Sequence, residues 1–213
     1  MLLTYEIIKR LDPSEKLLQS FSNLQDDKYL KEKYSFRKRG FRKGVLTADL
    51  KVELSDDNIF IQDIRINKYL GGLERRYPGV CKECIEYTKK FLMYHEGLIK
   101  SLTKGDIYNI GIHQIRITAI NDNEGLPVPE GYHQDGVDYV IIIPINTRYV
   151  SGGMHSLRYG SQDGTEILDK RLEEGEAIIL NDAKVFHYAG PIYAKYQDIE
   201  GTRDSIIITL IRS

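Results

Sequence analysis

Beyond about residue 105 the chain is written in short apolar runs and alternating apolar and polar positions, the period-two pattern of β-strands. Val, Ile and Tyr are concentrated in segments at 45–54, 59–67, 108–120, 138–144, 154–159, 176–180, 185–188 and 205–211, which are predicted as strands. Turn pairs such as Gly152-Gly153, Asp163-Gly164 and Glu174-Gly175 punctuate the later ones. Helical spacing is confined to two earlier segments. Leu17, Leu18, Phe21 and Leu24 form an apolar stripe behind Asp12-Pro-Ser-Glu, in which Asp12 is expected to cap, Pro13 to sit in the first turn and Glu15 to reach back. A second helix is predicted over about 78–102, with Cys81, Cys84, Ile85, Thr88, Leu92 and His95 along one stripe. The expected architecture is mainly β, with two N-terminal helices on an antiparallel sheet or barrel. One domain over 1–213 is expected, with helical and strand elements up to about 105 and the β core after it.

Charge changes little in this picture. Lys+Arg 30 against Asp+Glu 31 gives a net charge of −1, so no global field favours a nucleic acid or a membrane surface. The runs Val140-Ile-Ile-Ile and Ile206-Ile-Ile are strand-length, far short of a membrane span. The first ten residues lack the apolar stretch and cleavage site of a signal peptide, and the expectation is a soluble cytoplasmic protein. Cys81-x-x-Cys84 has no second pair to complete a zinc site, so both cysteines are expected to pack within their helix. The basic run 28–43, with Tyr34-Ser-Phe-Arg-Lys-Arg-Gly-Phe-Arg-Lys, interleaves aromatics and cations as a strand-binding patch would, but reads as a solvated loop. No nucleic-acid partner is expected.

Chemistry enters at Glu130-Gly-Tyr-His-Gln-Asp-Gly-Val-Asp-Tyr-Val. His133 and Asp135, two apart, would project from one face of a strand, and His187 follows far downstream in Asn181-Asp-Ala-Lys-Val-Phe-His-Tyr-Ala-Gly-Pro. Two imidazoles and one carboxylate on one face of an octahedral Fe(II) leave the opposite positions open. A His-x-Asp pair alone arises easily by chance, and His187 alone reads equally well as a half-buried packing histidine. Gly131 and Gly136 flank the pair and would let the chain bend sharply beside a ligand. Arg203-Asp-Ser205 then opens the last strand, where Arg203, Ser205, Ile207 and Thr209 alternate onto one face. A guanidinium that forks onto a carboxylate, with Ser205 as a further donor, is a seat for the distal carboxylate of a dicarboxylic acid.

These motifs, with Gly152-Gly153, Gly175-Glu-Ala-Ile-Ile-Leu-Asn-Asp and Pro191, resemble the bacterial 2-oxoglutarate/Fe(II) dioxygenases that hydroxylate free amino acids, such as the L-isoleucine 4-hydroxylases. The resemblance covers roughly 112–209, with Tyr69-Leu-Gly-Gly-Leu-Glu-Arg as a weaker upstream echo. It implies a double-stranded β-helix, a cupin-like jelly roll in which the strand with the first two ligands lies beside that with the third. It further implies Fe(II), 2-oxoglutarate and O2 as cofactors, with His133, Asp135 and His187 on iron and Arg203, aided by Ser205, on the cosubstrate. His155 follows Asp135 too closely for the jelly-roll crossover, and His113 reads as a packing histidine. Gln114 and Arg116, on the opposite face of the same strand, are expected near the cosubstrate, and Arg37, Arg39 or Arg42 near a substrate carboxylate. The resemblance implies a small-molecule substrate, a free amino acid. Alkylated-base demethylases carry Arg-x-Asn-x-Thr-x-Arg, which Arg203-Asp-Ser-Ile-Ile-Ile-Thr does not match. An oxygenase acting on a peptide and a non-catalytic metal-binding barrel stand as the other readings.

Overall fold

Three strands explain the layering, because each is apolar on both faces. In β7 (Tyr139–Arg148) Ile141, Ile143 and Ile145 point to one side and Val140 and Ile142 to the other. The same split occurs in β11 (Glu176–Asn181), between Ala177/Ile179 and Ile178/Leu180, and in β14 (Gly201–Arg212), between Ile206/Ile208/Leu210 and Ile207. A sheet whose central strands are apolar on both sides must be covered on both. In this computed structural model, which describes residues 4–30, 35–67 and 69–213, helices cover one face and a second sheet the other.

The remaining elements are β1 (Tyr5–Lys9), α1 (Glu15–Ser20), β2 (Arg37–Leu46), β3 (Val52–Leu54), β4 (Ile59–Phe60), β5 (Arg75–Arg76), α2 (Lys82–Tyr94), α3 (Glu96–Thr103), β6 (Tyr108–Ala119), β8 (Val150–Gly152), β9 (His155–Tyr159), β10 (Glu166–Lys170), β12 (Val185–Ala189) and β13 (Ile192–Ala194). The large sheet runs β1-β11-β7-β14-β6-β2-β3, with every pairing antiparallel. β10-β9-β12 forms the sheet opposite, and β13-β8 and β4-β5 are two-stranded ribbons. Leu17 and Phe21 with Phe91, Leu92 and Ile99 pack on the outer face of the large sheet, burying their apolar surface there. Two facing antiparallel sheets are consistent with a jelly roll.

Several local expectations change. Ser14, not Asp12, caps α1, its Oγ accepting from the Leu17 N–H at 3.2 Å. The continuous second helix breaks at His95, which separates α2 from α3. Cys81 caps α2, and Cys84 is fully buried beneath it, both as free thiols. The strand predicted at 45–54 is a hairpin that turns at Thr47 to Leu50, with Leu50 in a left-handed conformation. Residues 37–43 of the basic run are not a solvated loop but part of β2, which pairs with β6 along ten residues; 31–34 lie outside the described residues. Pro144 sits inside a central strand because the β7–β14 register shifts at Asp204/Ser205, a bulge that spares the ladder the missing N–H. Among the described residues no helix is long and apolar enough to cross a membrane.

Candidate metal centre and cavity

The inner face of the large sheet and the face of β9 and β12 enclose a cavity of about 1070 Å³, including its mouth. Register determines who lines it. Arg39 lies opposite Ile115, Ser205 opposite Ile115, Arg203 opposite Ile117 and Ile207 opposite His113, so the odd-numbered residues of β2, β6 and β14 share one face. That face is the cavity wall, and Arg37, Arg39, His113, Ile115, Ile117, Arg203 and Ser205 all reach it.

His133, Asp135 and His187 come together at one end. Their ligand atoms all lie within 4.8 Å of one another, an arrangement that could hold a metal ion. His133 and Asp135 are not on a regular strand, as expected, but on the loop leading to β7, pinned by a single bridge from His133 to His187. Gly131 and Gly136, with φ of 79° and 78°, turn the loop out of extended geometry at both ends. Asp182, buried at the turn between β11 and β12, captures the loop's N–H groups: its carboxylate accepts from Asp135, Gly136 and Val137. Three consecutive N–H groups of the loop are thus taken by one carboxylate and do not enter a ladder.

The imidazoles are oriented as ligands would need to be. His133 Nδ1 lies 3.1 Å from the Gly131 carbonyl, so it carries the proton and leaves the Nε2 lone pair facing Asp135 at 3.9 Å. His187 Nε2 is 3.5 Å from an oxygen of Asp135 and of Asp182, within ion-pair range yet buried with no hydrogen-bond partner. Burial disfavours its charged form, but the two carboxylates outweigh that and raise its pKa. Burial would also raise the Asp135 carboxyl, yet His187 and His133 hold it well below the usual carboxylate range. Gln62 Nε2 donates to Asp135 at 3.0 Å from the far wall.

Arg203 is fully inside the protein with no acid to neutralise it among the described residues. Its Nη2 donates to His155 Nε2 at 2.7 Å, and its Nη1 is buried without a partner. Burial lowers the guanidinium to about 10, still protonated at neutral pH, and pushes the adjoining His155 well below the usual histidine range. His155 is thus engaged on Arg203 and is not among the three clustered ligands. His113, the other rival, packs between Phe41 and Phe60, its Nδ1 accepting from Arg39 Nη2 at 2.7 Å.

Three expected residues do not reach the cavity. Gln114 and Arg116 have the opposite parity on β6 and point to the helical layer. Gln114 donates to Ser20 Oγ and accepts from the Cys81 N–H, joining α1 to α2, while Arg116 forks onto Asp204 at 2.6 and 2.8 Å. Arg42, likewise of even parity on β2, bonds Asn58 and pairs loosely with Asp56. Conversely, Asp182, Gln62, Arg75 and Glu130 stand at or around the site without having been singled out. Nothing in local sequence marks a carboxylate whose partners are backbone N–H groups, whereas Arg75 closes the Tyr69-Leu-Gly-Gly-Leu-Glu-Arg echo.

The donor set fits an iron site with a carboxylate-bearing cosubstrate. A buried His/Asp/His cluster, in which the His133 ring proton is committed to a backbone carbonyl, is a metal-ligand set, and a buried unpaired guanidinium awaits an anion. Residues 18–209 match the sequence model of the family described as 2OG-Fe dioxygenase. The chain belongs to this family. Members use Fe(II), 2-oxoglutarate and O2. Solved structures share the dioxygenase fold. A bsmA homolog from Methylobium petroleophilum PM1 superposes with a TM-score of 0.79 at 24% identity, over 92% of this chain and 79% of that one. IDO from Bacillus thuringiensis gives 0.71 at 18%, over 92% and 80%. The Fe(II)/(alpha)ketoglutarate-dependent dioxygenase TqaL gives 0.67 at 13%, over 98% and 82%. No curated protein matches the chain significantly.

Proposed function

We propose that this 2OG-Fe dioxygenase is a single jelly-roll domain that hydroxylates an unactivated C–H bond of a free L-amino acid. The observation that carries the reading is the buried, acid-free Arg203 guanidinium on the same cavity wall system as the His133, Asp135 and His187 cluster. His133, Asp135 and His187 hold Fe(II); Arg203, with Ser205 beside it, clamps the distal carboxylate of 2-oxoglutarate. When bound, iron with the cosubstrate and O2 supplies the oxidising power, and 2-oxoglutarate leaves as succinate and CO2.

The chain's own residues supply position and dryness. Asp182 fixes the loop that carries two ligands, and the Gly131 carbonyl fixes the His133 tautomer. His155, neutral, accepts from Arg203 Nη2 and so fixes the orientation of the guanidinium. Val140, Ile142, Leu157, Ile178 and Leu180 wall the inner end, excluding water that would compete for the reacting position. Arg39, with Arg37 behind it, meets the substrate carboxylate.

The test is 2-oxoglutarate turnover with panels of free L-amino acids, short peptides and single-stranded oligonucleotides, followed by mass analysis for a gain of one oxygen. Stimulation of succinate release by free amino acids supports the reading. Stimulation by a peptide or oligonucleotide alone overturns the substrate, and absence of any turnover with Fe(II) bound overturns the activity.

A further inference from the structure

Apart from the metal cluster and Arg203, the cavity holds a second concentration of charge on the wall contributed by β2, β5 and the segment between β4 and β5. Three guanidiniums, of Arg37, Arg39 and Arg75, converge there. One carboxylate serves them: Asp27 takes Arg37 Nε at 2.8 Å, both groups buried. Arg39 and Arg75 have no acid partner among the described residues. They flank the Phe60 ring, with guanidinium carbons 4.9 and 4.5 Å from its centroid. Arg75 is 1% exposed and Arg39 8%, and the Nε of each is buried without a hydrogen bond. Arg75 donates to Gln62 Oε1 at 2.8 Å, a neutral acceptor that cannot offset its charge. Burial and the nearness of Arg39 lower the Arg75 pKa, as expected of cations packed together without counter-charge.

Burying two cations without an anion is costly unless a ligand brings one. Glu130 lines the same cavity with the opposite need: Oε1 accepts from Asn67 Nδ2 at 3.3 Å, and Oε2 is buried with no partner. A single α-carboxylate and α-ammonium would satisfy Glu130 and one arginine and leave the other cation bare.

Resting on the dioxygenase reading above, we propose that the primary substrate is an acidic amino acid, a small α-amino acid carrying a second acid group. Its two acid groups are held by Arg39 and Arg75, and its ammonium by Glu130. Leu70, Pro127 and Val128 line the same cavity and offer an apolar wall to the stem between them. The preference is for net charge −1 over the zwitterion of the same shape.

Matched pairs test this: glutamate against glutamine and aspartate against asparagine, with leucine as an aliphatic reference. Two readouts are used, substrate-stimulated succinate release by the Fe(II) enzyme and calorimetric binding to the protein loaded with Mn(II) and 2-oxoglutarate. An acid is expected to exceed its amide by about tenfold or more, the scale of a charge-assisted contact. Arg39→Gln or Arg75→Gln, whichever removes the partner of the side-chain acid, should collapse that ratio, which does not depend on the folded fraction, and the other should weaken acid and amide alike. Equal or better response to an amide or to leucine overturns the proposal, as does discrimination that survives in both variants. Failure to bind metal or 2-oxoglutarate would sink the dioxygenase reading instead. In that case calorimetry on the metal-free protein decides the anion seat: binding of an acid, lost in the two variants, supports it, and no binding overturns it.

Discussion

Both oxygens of the Asp182 carboxylate lie 3.0 Å from the backbone N–H of Asp135, and one of them also takes the N–H groups of Gly136 and Val137. A residue on the turn after β11 therefore dictates the course of the loop before β7, and with it the distance between His133 and Asp135. Asp182→Asn keeps the size but replaces one acceptor oxygen by a donor that faces N–H groups. Metal affinity is expected to fall by about 10- to 100-fold, read by competition against a chelating dye, because the ligands lose their orientation. Stability of the metal-free protein in urea should fall by about 2 kcal/mol. Unchanged metal affinity would show that the loop holds its shape unaided.

Arg203→Ala should raise the 2-oxoglutarate requirement by roughly 10- to 150-fold, corresponding to about 1.5 to 3 kcal/mol for a charge-assisted contact. Arg203→Lys should recover part of this, since an ammonium cannot fork. Gln114→Ala serves as the contrast: it removes the link between α1 and α2 and should lower the melting temperature while leaving the cosubstrate requirement where it was. Steady-state titration of 2-oxoglutarate separates the two.

Gly153 stands at φ 74°, and a Cβ there would lie 3.2 Å from Arg203 Nη1 and from Ile192 Cγ2. Gly153→Ala combines a left-handed backbone with crowding of the guanidinium. A loss of about 1 kcal/mol in stability is expected, together with a raised 2-oxoglutarate requirement. A variant with wild-type cosubstrate affinity would mean that Arg203 can shift without loss.

Tyr87 gives the fold an alkaline limit. Burial pushes its phenol up to about 12, and its hydroxyl donates to the Leu11 carbonyl at 2.7 Å. A folded value above the unfolded one of about 10 favours the native state fully below pH 10, and that advantage is lost as pH rises through 12. Urea unfolding across pH 8 to 12 should show a decline over this window that is shallower in Tyr87→Phe. The variant itself should be about 1 kcal/mol less stable at neutral pH.

What could be read in advance followed from periodicity. The C-terminal strands announce themselves because period two survives any packing, and His133, Asp135 and His187 because a metal-ligand set is confined to few residue types. Periodicity says which residues share a face but not which face looks into the cavity, and that is why Gln114 and Arg116 were expected beside the cosubstrate while Ile115 and Ile117 occupy the wall. β2 was hidden for a related reason. Arg37, Arg39 and Arg42 lower its apolar score, yet two of them are buried in the interior, where their charge belongs to the site and not to solvent. Gln62 and Asp182 were invisible because their partners, a distant carboxylate and backbone N–H groups, are brought to them by the fold alone.

Gln62 bonds to Asp135 on one side and to Arg75 on the other. The early part of the chain thus supplies one wall of the cavity and touches the metal cluster through a single amide, whereas Arg203, Ser205 and all three clustered ligands come from the later part. Under the proposed function, variation confined to the cavity wall formed by β2, β5 and the segment between β4 and β5 would re-tailor what the protein accepts while leaving Arg203 and the three clustered ligands in place. Grafting the segment from β2 to β5 of one relative onto the later strands of another is the recombination experiment to which this division of labour lends itself.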